Sequence, residues 1–127
     1  MINSAISQKN LIIAGGRNFF DLPLFKSEIR KIIFFGFKYD YDFTIFSGGA
    51  SGADTLAINY AKSNNIPLQV FPAAWSRIGK QAGVLRNLEM ASKADFALIF
   101  WDKKSIGTKH MITFCKKYRV PVRLVIY

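Results

Sequence analysis

Three short stretches of this chain gather the residue types that hold anions. They are Gly15-Gly16-Arg17-Asn18, Ser47-Gly48-Gly49-Ala50-Ser51-Gly52 with Asp54 just beyond, and Ser105-Ile106-Gly107-Thr108. Glycine permits a positive φ and lets a ligand approach the backbone, while amides at a helix start can hold a negative group. Ser47 and Ser51 add hydroxyl donors, and Asp54 can accept from backbone amides or from a ligand hydroxyl. The guanidinium of Arg17 can fork onto a phosphate or carboxylate. A second arginine, Arg86, stands beside Asn87. Each stretch also has a plain structural reading: sharp strand-to-helix turns, a helix-start aspartate, and surface arginines paired with neighbours such as Asp21. The pattern GG-x-x-G is neither the dinucleotide fingerprint nor a P-loop, which ends in GK followed by Ser or Thr.

The elements around these stretches give them a common place. Apolar runs at Leu11–Ala14, Phe43–Phe46, Pro67–Phe71, Asp95–Trp101 and Pro121–Ile126 read as buried strands. Helical spacing falls between them. Asp21 and Pro23 open a helix carrying Phe25, Ile29 and Ile32, with Gly36 as its stop. Ala53, Leu56, Ala57, Tyr60 and Ala61 share a second helix face, and Asn64 and Asn65 end it. A third helix over Ala82–Ser92 is expected to turn Leu85, Leu88 and Ala91 inward, leaving Arg86 and Asn87 flanking and exposed. A fourth begins near Thr108, with Met111, Ile112 and Cys115 on its core face. Residues 39–43 give no clear signal, and Ala73–Gly83 reads as a long loop or irregular helix.

Strands alternating with helices predict an α/β, Rossmann-like three-layer sandwich with a five-stranded parallel sheet of order 3-2-1-4-5. In such folds ligands bind outside the carboxyl ends of the strands, where the strand order reverses. All three small-residue stretches are expected to meet there.

The whole chain has 127 residues, the length of one domain, so residues 1–127 are expected to form a single ligand-binding unit. Half its residues are hydrophobic, which excludes disorder. Lys plus Arg is 18 against 8 for Asp plus Glu, so the formal net charge is +10 and anionic partners are favoured. Cys115 is the only cysteine, so no intrachain disulfide forms. One cysteine and one histidine, His110, argue against a zinc site, and no cofactor is expected. No apolar run reaches the ~20 residues of a membrane span, and the first residues lack a signal-peptide layout. An intracellular, cytoplasmic protein without a membrane partner is expected. His110 reads as a surface or hinge residue and Cys115 as a packed thiol. Trp101 reads as a core lid or a stacking platform for a base.

With these motifs placed, the chain resembles the YspA-like family of the SLOG superfamily, which joins the DNA-processing A (Smf) proteins to lonely-guy nucleotide hydrolases. The matching text is IAGGRNFFD at 13–21, SGGASGADTLAINYA at 47–61, FPAAW at 71–75, AGVLRNLEM at 82–90 and FWDKKSIGT at 100–108. The resemblance implies a Rossmann-like domain that binds a nucleotide or nucleotide-derived ligand, with a sensing role. It implies ligand contacts from Gly15, Gly16 and Arg17, from Ser47, Gly48, Gly49, Gly52 and Asp54, from Arg86 and Asn87, and from Gly107 and Thr108. The hydrolase branch carries PGGxGTxxE. Here only the Gly107-Thr108 part is kept, and Met111 stands in place of the glutamate. A thioether cannot move a proton, which weighs against phosphoribohydrolase activity.

Three functions therefore compete. The first is a nucleotide-binding module, the second a hydrolase of N-glycosidic or phosphate bonds, with Asp54 or Asp102 as stand-in acid. The third is nucleic-acid binding through Lys103, Lys104, Lys109, Lys116, Lys117 and Arg119, residues that also read as a solvated face. The aromatic-rich segment from Phe19 to Phe46, with Phe25 or Phe34 turned outward, predicts a homo-oligomer.

Overall fold

The computed structural model describes residues 7–33, 41–73 and 79–127. In chain order it contains β1 (Ser7–Gly15), α1 (Leu22–Lys31), β2 (Tyr41–Ser47), α2 (Ala53–Ser63), β3 (Leu68–Val70), a 3-10 turn (Gly79–Gln81), α3 (Ala82–Lys93), β4 (Phe96–Trp101), α4 (Ile106–Lys117) and β5 (Val122–Ile126). The sheet has the order β3-β2-β1-β4-β5, and every pairing is parallel. The expected α/β, Rossmann-like sandwich is therefore the observed fold.

Alternation along the strands builds the layers. Leu11 and Ile13 of β1 face one side with Ile45, Leu98 and Phe100, against Phe25 and Ile29 of α1 and Ala53, Ala57 and Ala61 of α2. Ile12 and Ala14 face the other side with Phe46, Ala97 and Ile99, against Met90 and Ala91 of α3 and Met111 and Cys115 of α4. Both faces are covered, so the central strands read as continuous apolar runs. Three alanines four residues apart let α2 lie close to the sheet. Burial pushes the Cys115 thiol up to about 11, which keeps it a protonated packing group.

Several local expectations need correction. β2 starts at Tyr41, so the segment that gave no clear signal contributes part of a central strand. Gly36 and Phe34 lie outside the described residues, as does the stretch 74–78. Phe25 faces inward and is fully buried, since it packs on Phe100 and Tyr60. It therefore supplies no outward face for self-association. The exposed large apolar residues are elsewhere, including Phe20, Ile106, Leu124 and Ile126. Of the three residues expected inward on α3, Ala91 is buried, Leu88 is half-buried and Leu85 is 47% exposed, and Ala82 and Met90 complete the buried face. That rotation has a functional consequence, because it turns Arg86 toward the sheet end.

Candidate functional site

β1 and β4 are neighbours in the sheet, yet α1 leaves β1 toward β2 on the other side. The loops after them diverge, and a crevice opens at their carboxyl ends. Its central pit, about 80 Å³, is lined by Gly15, Arg17, Gly48, Asp54, Arg86 and Asn87, with Ser105, Gly107 and Thr108 from the third stretch. Ala14, Met90 and Met111 form its apolar floor. The three small-residue stretches thus converge, as their spacing predicts. The pit also draws in Arg86 and Asn87, which the expected helix rotation would have left outside.

The first two loops hold each other. The Gly16 carbonyl accepts from the Ala53 N–H at 3.2 Å, and the Arg17 carbonyl accepts from the Ser51 hydroxyl at 3.2 Å. Gly52 has φ +76°, and a Cβ there would stand 2.3 Å from the Gly16 carbonyl oxygen. Its glycine is required by loop packing, whatever binds above it. Gly15 is likewise pressed against β4, where a Cβ would meet the Phe100 carbonyl at 2.5 Å. Around Gly16, Tyr127 donates to the Asn18 side-chain carbonyl at 2.6 Å and packs at a tilt against the Phe19 ring, bracing the first loop.

Within the second loop the backbone amides are partly used. Gly49 donates to the Ser47 hydroxyl oxygen at 3.3 Å, and Ala50 donates to Asp54 Oδ2 at 3.1 Å. Ser47, fully buried, donates its hydroxyl hydrogen bond to the Asp54 backbone carbonyl at 2.9 Å. Two of the loop's amides are thus engaged within it, and the charged groups that the crevice offers an anion are its arginines.

Arg86 is half-buried and held from three sides. Its Nε donates to Asn87 Oδ1 at 2.8 Å, and one terminal nitrogen donates to the Gly48 carbonyl and, at 3.5 Å, to the Phe71 carbonyl. A Cβ on Gly48 would meet that guanidinium at 2.6 Å and Asp54 Oδ2 at 2.9 Å, so Gly48 makes the room in which the two charges sit. Asn87 in turn donates to the Gly107 carbonyl at 3.3 Å, tying α3 to the start of α4. Burial lowers the Arg86 pKa, against the pull of Asp54, and the positive charge of Arg17 lowers it further.

Asp54 is the most perturbed carboxylate of the crevice. It is 6% exposed, and only its Oδ2 accepts a hydrogen bond from the described residues. Asp54 lines the pit, with Oδ2 on the side of Gly48 and Arg86. Burial raises its pKa from 3.8 to about 6, against the Ala50 N–H and the charges of Arg86 and Arg17.

Around Trp101, Asp102 and Ser105 the chain is occupied with its own turn. Asp102 accepts from the Lys104 and Ser105 amides at 2.8 and 2.9 Å, which hold its carboxylate below the usual range. Ser105 caps α4 through the Thr108 N–H, and the two hydroxyls lie 3.0 Å apart. Trp101 donates its indole N–H to the Ser105 carbonyl at 3.0 Å, so it braces this loop. Gly107 meets nothing within 4 Å of a built Cβ, so packing does not require glycine there.

His110, expected as a surface or hinge residue, is half-buried and lines a side groove with Arg17, Arg86 and Asn87. A helix-period count could have found it, because His110 lies three residues after Gly107 and so on the same side of α4. Lys103, Lys104, Lys109, Lys116, Lys117 and Arg119 are all exposed. Among the described residues no three His, Cys, Asp or Glu side chains converge as a metal site, and no helix is long and apolar enough to cross a membrane.

A parallel sheet with a charged crevice at its switch point is the arrangement of a Rossmann-like α/β domain. The model of the YAcAr family (YspA, cpYpsA-related SLOG family) matches residues 10–78, which carry the first two loops and Asp54. The chain belongs to this family. The Gene 61 protein of Mycobacterium phage D29 is 38% identical over 88 residues, covering 65% of this chain and 70% of that protein. No solved structure matches the chain. Arg86, Asn87, Gly107 and Thr108 lie beyond the family-matched residues, so their part in the crevice rests on the geometry above.

Proposed function

We propose that this protein is a single-domain binding module for a nucleotide or nucleotide-derived small molecule, acting as a sensor of that ligand. The observation that carries this reading is the meeting of Arg17 and Arg86 over a pit whose wall holds Asp54. The two guanidinium groups supply charge-assisted donors for a phosphate. The Asp54 carboxylate in the wall supplies an acceptor suited to a sugar hydroxyl. An anion and a neighbouring hydroxyl are what a nucleotide offers. Gly15, Gly16 and Gly48 let Phe100, Tyr127 and Arg86 pack close behind the loops, and Gly49 turns the second loop at φ +78°. Ser47 shapes the second loop from beneath, Gly52 sets its bend, and Gly107 with Thr108 forms the opposite lip.

Calorimetric titration, with ligands first found by native mass spectrometry of the purified protein, tests the reading. Arg17→Ala is expected to weaken a phosphate-bearing ligand by about 1.5–3 kcal/mol, the scale of a charge-assisted hydrogen-bond pair. Unchanged affinity in both Arg17→Ala and Arg86→Ala would remove the site assignment.

One observation favours a second reading. A buried carboxylate with a pKa of about 6 in a cleft has the profile of a general acid. In that reading Asp54 would protonate a leaving group, and the protein would hydrolyse an N-glycosidic or phosphate bond. Release of free base from a nucleotide, lost in Asp54→Asn, is the result that would establish it.

A further inference from the structure

The sheet has two edges, and they are unlike. At one, β3 has three residues, and Pro67 and Pro72 flank it. A short strand bounded by prolines is a poor template for another chain. At the other, β5 has no lysine, glycine or proline over Val122–Ile126. Its backbone groups alternate in direction. The Pro121 carbonyl accepts from the Ala97 N–H at 2.9 Å, and the Tyr127 N–H donates to the Trp101 carbonyl at 3.1 Å, so the odd-numbered residues face β4. The N–H and C=O groups of Val122, Leu124 and Ile126 therefore point away from β4. Among the described residues no strand pairs with them. Their side chains share a sheet face with their register partners Ala97, Ile99 and Trp101, and there Leu124 is 40% and Ile126 45% exposed. The one charge of the strand is already paired: Arg123 donates to the buried Glu28 of α1 at 2.9 Å. On a chain of net charge +10, this edge is where a second cationic copy meets the least repulsion along a strand.

We propose that β5 is the seam of a homodimer, in which the β5 strands of two copies pair antiparallel about a two-fold axis through Leu124. In that register Leu124 faces its own copy, Val122 faces Ile126, and Arg123 faces Val125. The outward-pointing residues thus meet one another, and such pairs exchange both backbone hydrogen bonds. No arginine stands opposite an arginine, which would be destabilising. Val122, Leu124 and Ile126 of both copies fall on one face of the joined sheet, where each stripe covers the other. A two-fold seam is closed: it leaves the short β3 strands as the outer edges. Pairing β5 of one copy with β3 of the next would leave an open edge at every step and grow without limit. None of Val122–Ile126 lines the pit, so both crevices stay open in the dimer.

Sedimentation equilibrium of the full chain at tens of micromolar is expected to give the mass of two chains. Leu124→Lys sets two ammonium groups against each other at the axis. It is expected to raise the dimer dissociation constant about thirtyfold or more, the scale of a central interface residue. Leu85→Lys makes the same charge change at another exposed leucine, on α3, and is expected to leave the dimer intact. Circular dichroism and thermal melting check that both variants fold. Leu124→Cys tests the axis without adding charge. Residues paired in this way have Cα atoms about 5.5 Å apart, within disulfide range, so mild oxidation should link two chains. The parent should stay unlinked, because Cys115 is buried. A parent that sediments as a monomer overturns the proposal and leaves the edge to a strand from another protein. Assembly beyond two chains overturns the closed seam. A dimer that survives Leu124→Lys, that Leu85→Lys dissociates equally, or that Leu124→Cys fails to link also overturns it.

Discussion

Asp54→Asn isolates what it takes to hold an ionised carboxylate in the wall of the crevice. The change keeps the shape of the side chain and an oxygen to accept the Ala50 N–H, but it cannot titrate. Burial raises the Asp54 pKa from 3.8 to about 6 in the folded protein. Each unit of displacement corresponds to 1.36 kcal/mol, so ionising the buried group opposes folding by about 3 kcal/mol. The sign follows from the direction. The native state binds this proton more tightly than the unfolded chain does. Its contribution is therefore fully present below about pH 3.8 and lost as pH rises through about 6. Urea unfolding of the parent and the variant across this range gives two stability curves. Their difference removes groups that titrate alike in both, including Glu28, whose carboxylate is engaged by Arg123 and Lys31. The variant's advantage is expected to grow by about 2–3 kcal/mol from about pH 4 to about pH 7.5 and then to level off. A difference that stays flat, or that shrinks with rising pH, would refute the reasoning. The same titration should appear in binding. An ionised Asp54 repels an anion in the pit, so inorganic pyrophosphate should bind the parent more tightly as pH falls through about 6, and the variant should lack that dependence.

The other predictions concern the scaffold of the site. Arg86→Lys should weaken phosphate-ligand binding nearly as much as Arg86→Ala, because an ammonium cannot span Asn87 and the Gly48 carbonyl from one planar fork; calorimetry with the same ligand decides it. Gly52→Ala should lower stability by about 1–3 kcal/mol through its positive φ and its clash with the Gly16 carbonyl. Gly107→Ala should leave the urea midpoint equal or higher, since it sits in a helix with open space around it. Incubation with adenosine monophosphate, NAD or ADP-ribose should release no base above background by chromatography, since Met111 lies on the pit floor where the hydrolase motif places its glutamate. Base release that vanishes in Asp54→Asn would overturn that expectation.

How much of this was legible beforehand follows from where each signal lives. The strand order and the convergence of three loops were open to reading. Apolar runs, glycines and hydroxyls mark strand ends locally, and the parallel α/β rule then places those ends together. The rotation of α3 was not legible. Leu85 and Leu88 look like a core stripe, but Ala82, Met90 and Ala91 occupy the buried face, and the choice depends on what packs opposite. That one rotation decides whether Arg86 is a surface charge or a wall of the crevice. The start of β2 was hidden for a related reason. Tyr41 and Asp42 pair with Ser7 and Gln8 at the edge of the apolar core, where hydrogen bonding continues beyond the hydrophobic pattern.

The glycines show the same division between local and tertiary causes. Read in the chain alone, Gly48, Gly49, Gly52 and Gly107 appear equivalent, four small residues beside a possible anion. The fold gives them separate causes. Gly52 is fixed by the carbonyl of the first loop, and Gly48 by the guanidinium and carboxylate that pack against it. Gly107 is fixed by nothing in the protein. A glycine that packing does not require, at the lip of a pit lined by two arginines, is the one whose identity reports on the ligand. An added methyl at Gly107 meets no described atom within 4 Å, so it leaves the folded chain undisturbed while it adds bulk at a residue that lines the pit. A ligand seated in the pit should feel that bulk as a loss of affinity by calorimetry, while the urea midpoint stays equal or higher. Gly107→Ala thus separates the contribution of this residue to the fold from its contribution to recognition in a single pair of measurements.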